Sequence, residues 1–171
     1  MSDIDSISKK LNITTLYFVL LTFITAGIYP VVWLYKVSKL IKSETQYLII
    51  HPNYYLVVSA LIGWTMFLGD AQLVMLMGPS AYTFSMILSK VYFIALIIWA
   101  FKAKGILQMY YLKVHGMDIK PNSFYTLIFS IYYINFLINS LPEIKEHHDL
   151  IRQAYLNKES LSDENIPTKN E

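Results

Sequence analysis

The chain has 171 residues and a net charge of +2, and 55% of its residues are hydrophobic. A soluble domain is usually about 45–50% apolar even when glycine is counted, so this composition indicates a one-domain membrane protein. The small net charge, with no basic run among aromatic residues, argues against nucleic acid as a partner. Cysteine is absent, which excludes disulfides and thiolate metal sites.

The polarity of the sequence divides the chain into three parts. Residues 1–12 form a short polar leader, and residues 13–156 contain every long apolar run and predict a helical membrane domain. Residues 157–171 are polar and charged, and we expect this C-terminal tail to be disordered.

The first apolar segment covers residues 16–34, a run of 19 residues without a charge. A helix needs about 20 such residues to cross the hydrocarbon core of a bilayer, so the segment is long enough to span. Pro30 lies inside it and lacks a backbone donor, which predicts a kink or break nearby. Two shapes fit: a kinked span, or two half-helices that enter and leave on the same side under a cover of protein or water.

Residues 33–50 predict an amphipathic helix that begins with Trp33 and Tyr35. Aromatic and basic side chains at the edge of an apolar segment are typical of a helix that lies along a membrane surface. Its basic residues recur at every third position: Lys36, Lys39 and Lys42.

The middle of the chain predicts two long apolar helices, over residues 54–77 and 81–101. A turn at residues 78–80, which are Gly, Pro and Ser, joins them. At ~1.5 Å rise per residue each helix covers the ~30 Å hydrocarbon core. Each contains one charged residue, Asp70 in the first helix and Lys90 in the second.

We hypothesise an ion pair between Asp70 and Lys90. Asp70 lies eight residues before Gly78 and Lys90 ten residues after Ser80, so a regular hairpin would bring both to a similar depth. An unpaired charge at mid-membrane costs about 2.5–3.5 kcal/mol on insertion scales, which favours pairing. The pair would fix the register of the hairpin or form an ion or proton site. A different helix boundary, with one charge reaching an interface, is the remaining alternative.

Small residues lie near the face of the first hairpin helix that carries Asp70. Ser59, Gly63 and Gly69 would let another helix approach closely, because small side chains keep the two backbones near each other. The approaching helix would belong either to the same molecule or to a second copy in a homo-oligomer.

Residues 124–141 supply a fourth apolar segment of 18 uncharged residues, interrupted by Asn135 and Asn139. Ser140, followed three residues later by Glu143, is a capping-box pattern that predicts the start of a separate polar helix. The fold that these segments predict is all-α, with four membrane segments, a central transmembrane hairpin and amphipathic interfacial helices.

The lysines indicate a membrane orientation. None lies in the turn at residues 78–80, so the positive-inside rule places both ends of the central hairpin in the cytoplasm. If the first and fourth segments span, the termini lie outside and carry basic residues with them. If both segments re-enter, every basic cluster is cytoplasmic, which fits the charges better, although the fourth segment lacks a break like that near Pro30. The lysines beside the hairpin are Lys36, Lys39 and Lys42 before it and Lys102, Lys104, Lys113 and Lys120 after it.

A weak internal similarity links the two outer segments, since residues 27–34 align with residues 130–137 without a gap. Duplicated halves are common in transporter folds. A chain rich in Ile, Leu and Tyr also produces such a similarity by chance, so both explanations stay open.

Seven residues form the pattern T-x-G-I-Y-x-x-x-W-x-Y-K: Thr25, Gly27, Ile28, Tyr29, Trp33, Tyr35 and Lys36. This pattern resembles the signature of a bacterial family of small multi-pass membrane proteins that is known only as a domain of unknown function. Residues 99–103 and 132–135 are similar to later segments of that family, and the resemblance covers residues 11–143. It implies a multi-pass protein of the bacterial cytoplasmic membrane and brings no established activity or catalytic residues.

No nucleophile, metal or nucleotide-binding motif is present in the sequence. We therefore expect a protein that is not an enzyme and has no cofactor and no metal site. The leading hypothesis is a non-catalytic integral membrane protein that acts through its embedded shape or by association with a partner. Its partners would be the lipid bilayer and either a second copy or another membrane protein. The alternative is a small ion- or proton-coupled transporter or channel subunit that uses Asp70 and Lys90.

Overall fold

The computed structural model describes residues 5–11 and 13–164, and all regular structure in this part of the chain is helical. The predicted all-α fold is therefore confirmed for the described residues. The helices are α1 (Asp5–Leu11), α2 (Thr15–Ile24), α3 (Ile28–Thr45), α4 (Asn53–Leu68), α5 (Ala71–Met77), α6 (Pro79–His115) and α7 (Ser123–Glu164).

Several of these segments have the length and composition of membrane spans. Three helical stretches are long and apolar enough to cross a membrane, within 7–24, in α6 and in α7. A fourth is added if α4 and α5, which meet at a bend of 72°, count as one span. The prediction of several membrane-length helices is confirmed at this level, with the first stretch shifted toward the N-terminus relative to residues 16–34.

The first apolar segment is a helical hairpin, because α2 and α3 fold back on each other. The Phe18 and Trp33 rings stack with centroids 4.6 Å apart, whereas 15 residues of continuous helix would separate them by about 22 Å. Ala26 and Gly27 have φ of 49° and 88° and make the turn. The break precedes Pro30, which lies in the first turn of α3, where a missing backbone donor is tolerated. The predicted break near Pro30 is therefore present, as a turn between two helices rather than a kink in one, while re-entry into a membrane stays a prediction.

The turn of the central hairpin lies where the sequence predicted it. Gly78 has φ of 84°, and Pro79 begins α6, where its fixed φ suits the first helical position. The prediction of one continuous helix over residues 54–77 is wrong. The Asp70 carboxylate accepts hydrogen bonds from the backbone N–H groups of Gln72 and Leu73 at 3.0 and 3.1 Å, and this cap starts a new helix, α5.

Helices α4 and α6 are antiparallel neighbours, and two hydrogen bonds fix their register. The Tyr54 hydroxyl donates to the Ala95 carbonyl at one end, and the Ser85 hydroxyl donates to the Thr65 carbonyl, 2.8 Å away, at the other. The close approach continues at Gly69, where an added Cβ would lie 3.1 Å from Ser85 Oγ. This register decides which charged residues of the hairpin can meet.

The fourth apolar segment also contains a break. Ser130 has φ of 46° and ψ of −120°, so α7 consists of two helical parts. The backbone N–H of Asn122 donates to the Tyr133 hydroxyl at 2.8 Å, and the Tyr125 and Tyr133 rings lie 5.9 Å apart, so the chain turns back here and the two parts of α7 form a second helical hairpin. The expectation that this segment lacks a break is wrong. The new break lies at the residue that the internal similarity aligns with Gly27.

The polar C-terminal helix does not begin separately at residue 140. Helix α7 continues through Pro142, and the Ser140 hydroxyl donates to the Phe136 carbonyl, 3.0 Å away, instead of capping a new helix. The helix extends to Glu164, so residues 157–164 are helical where the sequence predicted a disordered tail. The rest of that tail, 165–171, lies outside the described residues.

Part of the polar leader packs on the helical domain. Ile7 of α1 is only 2% exposed and belongs to the hydrophobic core. Lys10 Nζ lies 2.7 Å from Glu44 Oε1 near the end of α3. Residues 1–4 and 12 of the leader lie outside the described residues. The core itself is formed where α3, α6 and α7 meet, around Trp33, Trp99 and Ile134.

Candidate functional site

A buried aromatic cluster joins the first hairpin to the rest of the molecule. The Phe18 ring lies between Trp33 and Tyr132, with centroids 4.6 and 5.0 Å away, and Trp33 meets Trp99 edge to face at 5.8 Å. The Trp99 Nε1 donates to the Ser38 hydroxyl at 2.9 Å, and both side chains are buried. Helices α2, α3, α6 and α7 therefore share one packed contact.

Two asparagines of α7 hold the start of α2. The Asn139 amide donates to the Ile13 carbonyl at 2.9 Å, and the Asn135 amide donates to the Thr15 hydroxyl at 3.1 Å. An amide is expensive to bury without such partners, so these bonds explain why polar residues interrupt the fourth apolar segment. In the sequence these residues stand out as two isolated asparagines, but their partners Ile13 and Thr15, at the start of the first hairpin, could not be predicted.

The tip of the first hairpin reaches about halfway along the apolar part of α6. The Tyr92 hydroxyl lies 3.5 Å from the Gly27 carbonyl, and a Cβ added to Gly27 would lie 3.6 Å from Ile62 Cδ1. At ~1.5 Å per residue, Tyr92 is about 20 Å from Pro79 and about 14 Å from Phe101 along α6. The hairpin thus lies beside only one half of that helix.

Four of the seven residues of the T-x-G-I-Y-x-x-x-W-x-Y-K pattern build this hairpin. The Thr25 hydroxyl donates to the Leu21 carbonyl at 2.7 Å and accepts from the Tyr29 amide at 2.9 Å, which links the end of α2 to the start of α3. Gly27 supplies the left-handed turn, Tyr29 packs edge to face on Phe18 and Trp33 fills the core. The pattern thus describes a folded turn.

The remaining three residues of the pattern point outward. Ile28 and Tyr35 are 50% and 53% exposed, and Lys36 is exposed as well. The Tyr35 ring contacts Tyr55 of α4 edge to face at 5.8 Å, so it links two helices at the surface. These side chains are available to the surroundings of the protein.

The predicted ion pair between Asp70 and Lys90 does not form. Asp70 follows Gly69, which packs beside Ser85, whereas Lys90 lies five residues further along α6. Five residues advance a helix by about 7.5 Å and turn it by about 140°. Lys90 is therefore displaced along α6 from Ser85 and points in a different direction from the helix axis. The hypothesis assumed one straight helix as far as Met77. The bend at Asp70 ends that helix early, as the alternative helix boundary would.

Lys90 instead lies on an apolar outer surface. It is exposed, and no acidic side chain among the described residues forms an ion pair with it. Its neighbours on the same face of α6 are half exposed: Met86, Ile87, Phe93 and Ile94. A single ammonium group therefore stands within a patch of large apolar side chains.

The three small residues of the predicted packing face have different roles. Gly69 makes the close contact with Ser85, as internal packing requires. Ser59 is exposed and its hydroxyl bonds to the Tyr55 carbonyl of the same helix, and a Cβ added to Gly63 would meet no atom within 4 Å. Internal packing is thus wrong for Ser59 and Gly63, and a homo-oligomer contact at this face stays a prediction.

An apolar groove of about 520 Å³ lies between α2 and the two parts of α7 that meet at Ser130. Aromatic rings from both helical hairpins form its walls, and the sequence could not predict it because its residues come from distant segments. The lining residues are Thr15, Val19, Phe23, Tyr125, Phe129, Tyr132, Tyr133 and Phe136.

No protein-family model, no curated protein and no solved structure matches this chain. The hairpins, the exposed apolar surface and the placement of charge are the features of the molecule that bear on its function.

Proposed function

We propose that this chain is a non-catalytic multi-pass protein of the bacterial cytoplasmic membrane that acts through its embedded shape. The observation that carries the proposal is the first hairpin, which turns at Gly27 beside Tyr92, halfway along the apolar part of α6. The bacterial membrane is an expectation from the T-x-G-I-Y-x-x-x-W-x-Y-K pattern.

The exposed side chains support insertion in a bilayer. Large apolar residues are more than half exposed on several helices, for example Phe23 on α2, Leu56 on α4, Met75 on α5 and Phe124 on α7. In water these side chains would leave apolar surface exposed on helix after helix, which monomeric soluble proteins rarely do. In lipid the same surface is solvated without cost, and helices satisfy their own backbone hydrogen bonds.

The charges support entry of both outer hairpins from the same side. Lys10 of α1 pairs with Glu44 near the end of α3, so the polar ends of the first hairpin lie together. Lys104 Nζ lies 2.6 Å from Ser123 Oγ at the start of α7, which brings the second hairpin to the same end of α6. The positive-inside rule makes this end cytoplasmic.

The proposed shape is a wedge. Helices α3 and α7 lie beside the part of α6 that leads from Tyr92 to the lysines, and α2 packs on both of them. Beside the opposite part, near Pro79, lie the end of α4 and the short helix α5. A protein with more helices in the cytoplasmic leaflet expands that leaflet, and it would favour membranes in which this leaflet is convex.

Single-cysteine labelling tests the topology, because the chain has no native cysteine. In intact bacterial cells, a membrane-impermeant maleimide should label Ser80→Cys in the outer turn but leave Ser8→Cys and Ser43→Cys unlabelled until the membrane is permeabilised. Phe23→Cys, near the hairpin tip, should remain unlabelled in both conditions. Labelling of Ser8→Cys in intact cells would show a spanning first segment and contradict the wedge.

Vesicle size tests the shape. A wedge should insert into small vesicles with its lysine-bearing side outward, so the externally labelled fraction of Ser43→Cys should rise as the vesicle diameter falls. The fraction for Ser80→Cys, the matched control at the other end, should fall in parallel. Equal orientation in small and large vesicles would mean that shape does not determine the orientation of the protein.

The alternative function, transport that uses Asp70 and Lys90 together, loses its support, because these side chains do not meet.

A further inference from the structure

Lys90 occupies the middle of the apolar part of α6. It is 11 residues from Pro79 and 11 residues from Phe101, or about 16 Å from each at ~1.5 Å per residue. A lysine side chain reaches about 6 Å, so the ammonium group cannot reach either interface of a ~30 Å hydrocarbon core by snorkelling. The position, together with the membrane insertion proposed above, puts a charge at mid-bilayer depth.

None of the other described helices covers the side of α6 that carries Lys90. Its neighbours one turn before and after are Met86, Ile87, Phe93 and Ile94, which are 48%, 51%, 49% and 54% exposed. The packed side of α6 is marked by the buried residues Ser85, Leu96 and Trp99. Lys90 therefore faces the surroundings of the molecule.

No acidic side chain in the described part of the chain neutralises this charge. Residues 79–101 contain no acidic residue, and the carboxylate of Asp70 is engaged at the start of α5. An uncompensated lysine at mid-membrane costs about 2.5–3.5 kcal/mol on insertion scales, and such residues usually pair with an opposite charge. The missing partner has to come from another molecule.

A second copy is a poor partner for this face. Two copies inserted in the same direction would be related by an axis along the membrane normal, and a symmetric contact at this face would place Lys90 against Lys90 at equal depth. The like charges would repel each other. Charge complementarity therefore favours a different helix with the opposite charge.

We propose that the outer face of α6 around Lys90 binds a transmembrane helix that carries one aspartate or glutamate at mid-bilayer depth. The four large neighbours of Lys90 keep the two helix axes at the usual 8–10 Å, a distance that an extended lysine and a carboxylate side chain bridge together. The proposal rests on the membrane insertion proposed above and names the chemistry of the partner.

The probe is a synthetic leucine- and alanine-rich peptide of about 23 residues with one central aspartate, long enough to span a bilayer. The full chain is labelled at Ser43→Cys and reconstituted in liposomes with the labelled peptide, and energy transfer between the two labels reports binding. We expect binding of the aspartate peptide and at least roughly tenfold weaker binding of the matching asparagine peptide, a difference of ~1.4 kcal/mol.

Variants of the chain make the assignment specific. Lys90→Met should weaken binding of the aspartate peptide by the same factor, whereas Lys102→Met, outside the apolar part of α6, should leave it unchanged. The charge swap should restore binding, with Lys90→Asp binding a peptide that carries a central lysine. Equal binding of the aspartate and asparagine peptides would overturn the proposal.

Two further measurements separate this inference from the proposed function. Flotation of the same liposomes after an alkaline wash reports insertion. A protein that inserts but does not bind the aspartate peptide would contradict the proposed partner and leave the proposed function intact. A protein that fails to insert overturns both proposals. Energy transfer between two copies of the chain that is lost in Lys90→Met would identify a second copy as the occupant and also overturn the inference.

Discussion

The indole Nε1 of Trp99 donates a hydrogen bond to the hydroxyl of Ser38, 2.9 Å away in the buried contact between α6 and α3. The Ser38 hydroxyl in turn donates to the Leu34 carbonyl at 2.7 Å, so both polar groups are satisfied in an apolar setting. This short chain of hydrogen bonds links the first hairpin to α6.

Ser38→Ala should therefore destabilise the protein. The substitution leaves the Trp99 N–H buried and unpaired, and such a group costs about 1–3 kcal/mol. The free energy of unfolding in mixed micelles, followed by tryptophan fluorescence, measures the loss. Ser59→Ala is the matched control, because its hydroxyl is exposed and bonds only within α4. Equal losses in the two variants would contradict a special role for the Trp99 contact.

Gly27→Ala should destabilise the first hairpin. Gly27 has φ of 88°, and an L-residue in a left-handed conformation costs roughly 1–2 kcal/mol. The added methyl group itself has room, since its closest neighbour would be Ile62 Cδ1 at 3.6 Å. The same unfolding measurement therefore isolates the cost of the backbone conformation.

Gly63→Ala is the control for that prediction. Gly63 lies inside α4 with no atom within 4 Å of an added Cβ, and alanine is a better helix former than glycine by up to about 1 kcal/mol. This variant should be as stable as the wild type or more so. A loss at Gly63 as large as that at Gly27 would point to a contact of Gly63 with another molecule.

Asp70 should behave as a helix cap and not as half of an ion pair. Asp70→Ala removes the acceptor for the backbone N–H groups of Gln72 and Leu73 and should lower the free energy of unfolding by about 1 kcal/mol. Asp70→Asn keeps an acceptor and should leave the free energy of unfolding nearly unchanged. Combination of either variant with Lys90→Met should give additive effects, because the two side chains share no contact. A coupling energy well above the error of the measurement would restore the ion pair.

The apolar runs and the turn at Gly78 could be predicted from the sequence, because run length and Gly-Pro punctuation are local signals. The bend at Asp70 could not be predicted in this way, since an acid within an apolar run suggests an ion pair as readily as a cap. The register of α4 against α6 identifies Asp70 as a helix cap, because it places Lys90 away from Asp70. Register depends on contacts such as that of Ser85 with Thr65, which lie 20 residues apart.

The candidate site was predictable in part. Pro30 predicted the break in the first apolar segment, whereas no break was expected in the fourth segment, where the chain turns at Ser130. The contacts that close the hairpin come from distant parts of the chain, such as Trp99 against Trp33 and Asn139 against Ile13. No local pattern connects these residues, so only the packed structure reveals their partnership.

Ser130→Gly should stabilise the protein, which is unusual for a buried position. Ser130 is 2% exposed, its hydroxyl has no hydrogen-bond partner and its φ is 46°. Glycine would relieve a left-handed conformation worth about 1–2 kcal/mol and remove a buried polar group that is not satisfied. The variant would also resemble the first hairpin, where glycine occupies the aligned position. The free energy of unfolding should rise by about 1–2 kcal/mol.

The same substitution at Ser140 provides the control. Ser140 lies in a regular part of α7 and its hydroxyl bonds to the Phe136 carbonyl, so Ser140→Gly should lower the free energy of unfolding by up to about 1 kcal/mol. Opposite signs for the two variants would establish that the chain turns at Ser130 in solution. A loss of stability at both positions would indicate a straight helix there, and the fourth segment would then cross the bilayer instead of turning back.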